Sequence, residues 1–187
     1  MEVPSHFLKI CYHRLIMREI VVVLDNIRSV HNVGSIFRTA DGMGVRKLYL
    51  CGITPAPTDR FGRERQDLRK VALGAEKTVA WEKATATGRL LLELRHQGYE
   101  LVALEQSPQA VPLRKFKTKA RKLVLILGPE IAGLSVSILR RADRVVEIPM
   151  RGALVRQAHH PRRTGLGKES LNVAVAFGIA AYILRLS

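Results

Sequence analysis

Five short apolar runs limit what this chain can fold into. They are "IVVVL" at 20–24, "KLYLC" at 47–51, "ELVAL" at 100–104, "LVLIL" at 123–127 and "VVEIP" at 145–149. Each is nearly continuous in apolar character and rich in branched residues. A strand exposed on one face alternates with polar residues, whereas a strand buried on both faces reads like these runs, which is the pattern of a parallel sheet covered by helices. Helical patterns fill the intervals. Val33, Ile36, Phe37, Ala40 and Met43 form one stripe, and Leu90, Leu91 and Leu94 mark a second helix ended by Gly98. The alternation predicts an α/β fold with a parallel sheet flanked by helices. At 187 residues without repeats or a long linker, the chain reads as one domain over 18–187 behind an N-terminal extension, 1–17, expected to be poorly ordered. Met17 is a second candidate start.

The last element is of another kind. From Leu171 to Leu184 the chain is apolar apart from Asn172 and Gly178. That predicts a helix buried on most sides, too short to span a bilayer. Ser170 reads as an ordinary N-cap and Asn172 as a first-turn polar residue, and buried amides need partners. The N-terminus lacks the long apolar stretch and cleavage site of a secretory signal. Cys11 and Cys51 provide neither a disulfide framework nor metal-ligand spacing. The expectation is a soluble cytoplasmic protein, with no membrane and no metal.

Charge narrows the partner. Thirty-one Lys and Arg against 16 Asp and Glu give a formal charge of +15, and 47% hydrophobic residues still supply a core. Nucleic acid leads the possible anionic partners; a membrane surface or a merely soluble basic protein are the alternatives. "LRKFKTKARK" at 113–122 has six basic residues, no acid and one interleaved aromatic, Phe116. "GALVRQAHHPRRTGLG" at 152–167 is a Gly-bounded basic loop. Either run is a phosphate-binding surface or only a solvated face.

Three constellations carry chemistry. In "NIRSVHNVGSIFRTADGMG", 26–44, Asn32 reads as an N-cap and Gly34 as a place where a backbone or ligand comes close. Arg38 lies off the apolar stripe, facing either a ligand or a surface partner, Asp41. In "LILGPEIAGLS", 125–135, a buried strand runs into a turn with Gly128, Pro129 and Gly133, the place where parallel α/β sheets hold ligands. Glu130 either points into that site or ties down the loop. The segment is neither G-x-G-x-x-G nor a P-loop, which disfavours a dinucleotide or a nucleoside triphosphate. The third constellation is the stretch around Ser170 and Asn172, preceded by "VVEIPMRG".

Together these segments resemble the three motifs of the TrmH (SpoU) family of SPOUT RNA ribose 2′-O-methyltransferases: "NVGSIFRTADGMGV", then "LILGPEIAGLS", then "EIPMRG" and "ESLNVAVAFGIAAY". "LGAEKTV", 73–79, is similar to a segment the family carries between its second and third strands. The resemblance implies a C-terminal deep trefoil knot, S-adenosylmethionine held by knot loops, transfer of its methyl group to a ribose 2′-hydroxyl of tRNA or rRNA, and a homodimer packed through the last helix. It implies Arg38, Asn32, Glu130, Ser170 and Asn172 as catalytic residues, and Leu104, Gly128, Ile148, Met150 and Leu171 as cofactor-binding residues. Arg60, Arg63, Arg65, Lys115, Lys117 and Lys119 are the candidate RNA contacts.

The chain departs from that pattern between Ile148 and Leu171, which are 171 − 148 = 23 positions apart. Related sequences use a shorter link. The extra length is close to 153–167, with three arginines, two histidines and no acid. His159 and His160 read as loop residues, since no other ligand spacing accompanies them. Loop closure entropy rises slowly with length, so the insertion need not unfold the domain. The expectation is an outward loop with incidental RNA contact; the competing outcomes are a basic lid and an obstruction. The rival functions are an RNA-binding SPOUT-like protein with weak or no catalysis because of the insertion, a nucleotide-binding oxidoreductase, and a knotted methyltransferase acting on a base, against which "SLN" after "IPM" resembles the ribose-methylating pattern.

Overall fold

A computed structural model describes residues 18–150 and 170–186. The chain runs β1 (Glu19–Asp25), α1 (Val30–Gly42), β2 (Lys47–Cys51), α2 (Gln66–Ala72), α3 (Ala75–Thr78), β3 (Ala80–Ala84), α4 (Thr87–His96), β4 (Glu100–Leu104), β5 (Val111–Pro112), β6 (Lys122–Leu127), α5 (Val136–Leu139), β7 (Arg144–Glu147) and α6 (Val173–Leu186). The strands form one sheet in the order β3-β2-β1-β6-β4-β7-β5, and every pair is parallel. All five expected strands are present. Two more lie at the edges, where β3 reads "AWEKA" with mostly exposed side chains and β5 has two residues. The fifth strand ends at Glu147 rather than at 149. Pro149 has no N–H for a ladder and restricts the residue before it.

The continuous apolar runs are explained by cover on both faces. Ile20, Val22 and Leu24 of β1, with Leu123, Leu125 and Leu127 of β6, pack under α1, α2 and α6. Val21 and Val23, with Val124 and Ile126, pack under α4 and α5. The strand period of two sends alternate residues to these two cores.

Helix α1 buries Val33, Gly34, Ile36, Phe37 and Ala40, the expected stripe, while Met43 is its C-cap. Its N-cap is Ser29, whose hydroxyl accepts from the Asn32 N–H at 3.2 Å, so Asn32 is not the cap. Gly34 serves helix packing. A Cβ there would lie 2.8 Å from the Val71 Cβ and 3.1 Å from the Leu68 carbonyl oxygen. The close approach is to α2 rather than to a ligand.

Helix α6 is pinned at its C-terminal end by two arginines. Arg185 Nε donates to the Met43 carbonyl at 2.9 Å, and Arg18 donates to the carbonyls of Leu184 and Ala120, each at 2.9 Å. The loop after β2 is also fixed. The Thr54 hydroxyl donates to the Leu24 carbonyl at 2.9 Å and accepts from the Ile27 N–H at 3.0 Å. Lys83 Nζ donates to the carbonyls of Gly52 and Thr54, and burial lowers its pKa. The knot expected from the resemblance turns on the path from β7 to α6. That path, the loop 153–167 and the extension 1–17 lie outside the described residues.

Gly34→Val should separate α1 from α2 and lower stability by about 1–3 kcal/mol, the usual cost of overpacking a tight contact. The check is the urea midpoint at unchanged m-value; an unaltered midpoint would show that the crossing has slack.

Candidate active site

Where β6, β4 and β7 end, their C-terminal turns enclose a cavity of about 320 Å³. Leu104 ends β4 and Glu105 follows it, Gly128 to Gly133 follow β6, Ile148 and Met150 follow β7, and Ser170 and Leu171 before α6 with Val173 and Ala176 within it close the cavity. All five expected cofactor contacts, Leu104, Gly128, Ile148, Met150 and Leu171, line this one cavity. Its volume is at the lower end of ligand pockets. The loop after β6 folds back tightly. A Cβ on Gly128 would lie 2.9 Å from the Leu134 nitrogen, so only glycine lets the strand turn there. Glu105 holds the loop in place, accepting from the Leu134 N–H at 2.7 Å. Sequence reasoning missed Glu105. Its only signal was its place just after a buried strand.

The described lining of the cavity is opposite in charge to the protein as a whole. Glu105, Glu130 and Glu147 line it, and no Lys or Arg is among its described lining residues. In a chain of formal charge +15, such a site favours a cationic ligand and repels polyphosphate.

At the rim, one carboxylate oxygen joins three parts of the chain. Glu130 Oε1 accepts from Asn32 Nδ2 at 3.0 Å, from Asn172 Nδ2 at 2.8 Å and from the Val173 N–H at 3.1 Å. Asn172 Nδ2 also donates to Asn32 Oδ1 at 3.0 Å. Asn172 Oδ1 accepts from the Ala174 N–H at 3.0 Å, which makes Asn172 the cap of α6 in the role read for Ser170. Ser170 is exposed and lines the cavity instead. Glu130 therefore both faces the site and ties down its loop.

Arg38 is exposed on α1 and, among the described residues, makes no side-chain hydrogen bond or ion pair. Asp41 is not its partner, since that carboxylate accepts from the Thr78 hydroxyl at 2.8 Å. The candidate RNA contacts fall in two places. Arg60, Arg63 and Arg65 follow β2, at the end of the sheet that holds the cavity. Lys115, Lys117 and Lys119 are exposed on the segment that runs back to the start of β6. Phe116 within that run is a core residue, 5% exposed, and shows no ring to a partner. Among the described residues no group of three His, Cys, Asp or Glu is arranged to hold a metal, and no helix is long and apolar enough to cross a membrane.

Asn172→Ala removes the α6 cap and two donors to Glu130 and Asn32. It should cost about 1–2 kcal/mol in urea unfolding. Asn172→Asp keeps an acceptor for the cap but sets a second carboxylate against Glu130, so it should recover only part of that loss. Full recovery would show that the bonds to Glu130 contribute nothing.

Comparison with known proteins agrees with this geometry. Residues 19–155 match the model of the SpoU rRNA Methylase family. A tRNA (guanosine(18)-2′-O)-methyltransferase of Aquifex aeolicus is 30% identical over 165 residues, covering 88% of this chain and 68% of that protein. A 23S rRNA (guanosine-2′-O-)-methyltransferase RlmB of Coxiella burnetii is 30% identical over 163 residues, covering 87% of this chain. The chain spans 56% of that relative's length. Among solved structures, an AdoMet-bound rRNA methyltransferase from Sinorhizobium meliloti superposes with a TM-score of 0.74 at 28% identity, covering 90% of this chain and 56% of that one. The TrmH/SpoU tRNA modifying enzyme of A. aeolicus gives 0.70 at 28% identity, covering 97% and 82%. With its parallel sheet, its cavity at the strand ends and its matching motifs, the chain belongs to the SpoU RNA methylase family.

Proposed function

We propose that this chain transfers a methyl group from S-adenosylmethionine to a ribose 2′-hydroxyl of tRNA or rRNA, in the cytoplasm and as a homodimer. The observation that carries the reading is the glutamate-lined, apolar-walled cavity with the Asn32–Glu130–Asn172 network on its rim. The ligand's chemistry fits that cavity. Its adenosyl part suits walls made by Leu104, Ile148, Met150 and Leu171, with the backbone at Gly128 offering polar partners. Its net positive charge suits the three glutamates. An NAD-type dinucleotide, with two phosphates, does not fit such a lining.

Bound S-adenosylmethionine supplies the methyl group on a sulfonium, already a good leaving group. The protein's contribution is then alignment and charge stabilisation. Asn32 and Asn172 carry amide groups that orient the ribose, and Ser170 stands beside them on the cavity wall. Glu130 positions both amides. Arg38 stabilises the negative charge that develops on the 2′-oxygen. A guanidinium stays protonated in proteins, so its part is electrostatic rather than that of a base. The basic groups outside the cavity, Arg60, Arg63 and Arg65 with Lys115, Lys117 and Lys119, bind phosphate and give affinity without sequence choice.

The dimer reading is supported by the half of α6 that the described residues leave uncovered. Val175, Ile179, Tyr182 and Leu186 recur at helical spacing on its outer side, and Val175 and Tyr182 are 52% and 57% exposed. A helix buried on most sides, as the sequence suggests, needs a second copy over that stripe. The deep trefoil knot belongs to the same proposal; the family match supports it.

Titration calorimetry should show binding of S-adenosylmethionine and no binding of NAD; the reverse result would sink the cofactor assignment. Arg38→Ala should lower single-turnover methyl transfer by roughly 100-fold or more, with cofactor affinity and stability nearly intact. Arg38→Lys should not restore the rate, because a compact ammonium lacks the planar fork. A near-normal rate in either variant would remove Arg38 from the chemistry. Tyr182→Arg should halve the mass seen by light scattering; a wild-type monomer at micromolar concentration would refute the dimer.

A further inference from the structure

Among the described residues, one aromatic side chain lies outside the core, the cavity and the outer stripe of α6. Phe61 is 65% exposed at the tip of the turn that follows β2. The turn is built to hold that ring outward. Asp59 Oδ1 accepts from the N–H groups of Phe61 at 2.8 Å and Arg63 at 3.0 Å. The Asp59 N–H donates to the Arg63 carbonyl at 2.9 Å, and Gly62 turns at φ +79°. Below the tip, Thr58 and Glu64 form an antiparallel bridge, and the Arg65 N–H closes the base on the Pro57 carbonyl at 2.8 Å. The root of the turn is fixed by the Thr54 and Lys83 bonds to the strand ends. A segment held this way loses little conformational freedom on binding.

Two cations flank the ring. The Arg60 guanidinium lies 4.7 Å from its centroid and that of Arg63 lies 5.2 Å away. Among the described residues neither forms an ion pair, whereas nearby Arg65 and Arg69 are paired with Asp67 and Glu64. Both guanidiniums lie over this exposed ring without an acidic partner among the described residues, which is the chemistry of a single-stranded nucleic-acid contact: a base takes a ring face as a guanidinium turns from it to a flanking phosphate. Its place in the fold agrees. The turn leaves the C-terminal end of β2, next to β1, whose following helix carries Asn32; β6, which leads into the cavity loop, is the next strand. Two strand spacings, ~10 Å, separate the roots of the turn and of the cavity loop.

We propose that Phe61 is a stacking platform for the base of an unpaired nucleotide near the methylated one, with Arg60 and Arg63 holding its flanking phosphates. The proposal rests on the reading of RNA as substrate. It adds that the substrate is unpaired beside the modified position.

The test is fluorescence anisotropy with labelled single-stranded RNA of mixed sequence and with a blunt duplex of the same RNA. Phe61→Ala should weaken binding of the single strand by roughly 5- to 100-fold, the range found for one base–aromatic stack. Phe61→Trp should restore it. The dependence on salt should keep its slope in Phe61→Ala, since no phosphate contact is lost, and become shallower in Arg60→Ala and Arg63→Ala. Duplex affinity should not depend on Phe61. Equal losses on both RNAs, or no loss on either, would overturn the proposal, as would a change in subunit association in Phe61→Ala by light scattering. Calorimetry with S-adenosylmethionine and a methyl-transfer assay on the wild type separate the two levels. Wild type that methylates RNA while Phe61→Ala binds normally overturns the stacking platform alone. Wild type that binds RNA through Phe61 but neither binds the cofactor nor transfers methyl overturns the proposed activity alone. Absence of RNA binding in the wild type overturns both.

Discussion

Oxygen Oε1 of Glu130 gathers donors from α1 and from the start of α6, parts of the chain 98 and 42 positions away from its own loop. The cavity depends on that junction. The loop after β6 forms one wall, and α6 forms another through Leu171, Val173 and Ala176. Core packing sets α6 against the sheet, and these bonds fix the start of the helix against the loop after β6. A carboxylate is well suited to the position. It accepts several hydrogen bonds, and its charge lies favourably beside the N-terminal end of α6. At the opposite end, Arg185 and Arg18 fasten α6 to the end of α1 and to the segment before β6. The helix is thus a wall fixed at both ends, with one apolar face inward and the other exposed among the described residues.

The same arrangement separates two electrostatic environments. Positive charge on the outer surface attracts RNA by its phosphates. Among the described residues the cavity lining reverses that sign, through Glu105, Glu130 and Glu147. The described lining suits a small cation better than phosphate, whereas Arg38, without an ion pair among the described residues, stands exposed on α1. A binding module that needed only charge would have no use for this inversion.

The central strands were legible because both faces of the sheet are covered, which leaves no polar alternation to blur the pattern. β3 and β5 were not, because an edge strand such as "AWEKA" is only half covered and two residues carry no period. The site was legible as a set of segments, and the cavity residues follow the motifs closely. Individual roles were harder. Both Asn32 and Ser170 had the chemistry of a helix cap, yet Ser29 and Asn172 hold those positions, since capping depends on the backbone angle at one residue. Gly34 marked a close approach correctly, but nothing local distinguishes a helix from a ligand as the neighbour. Phe116 and Phe61 show the same limit from two sides. Each sits among basic residues in sequence; one fills the core and the other stands in water, because tertiary contacts decide burial.

Alkaline hydrolysis reads the chemical position of the methyl group. The protein is incubated with methyl-labelled S-adenosylmethionine and with tRNA and rRNA from cells lacking the gene, and the labelled RNA is then digested in alkali. A ribose 2′-O-methyl group blocks attack on the adjacent phosphodiester, so label is expected in alkali-resistant dinucleotides and is lost in the Arg38→Ala variant. Label released in mononucleotides would place the methyl group on a base and overturn ribose methylation.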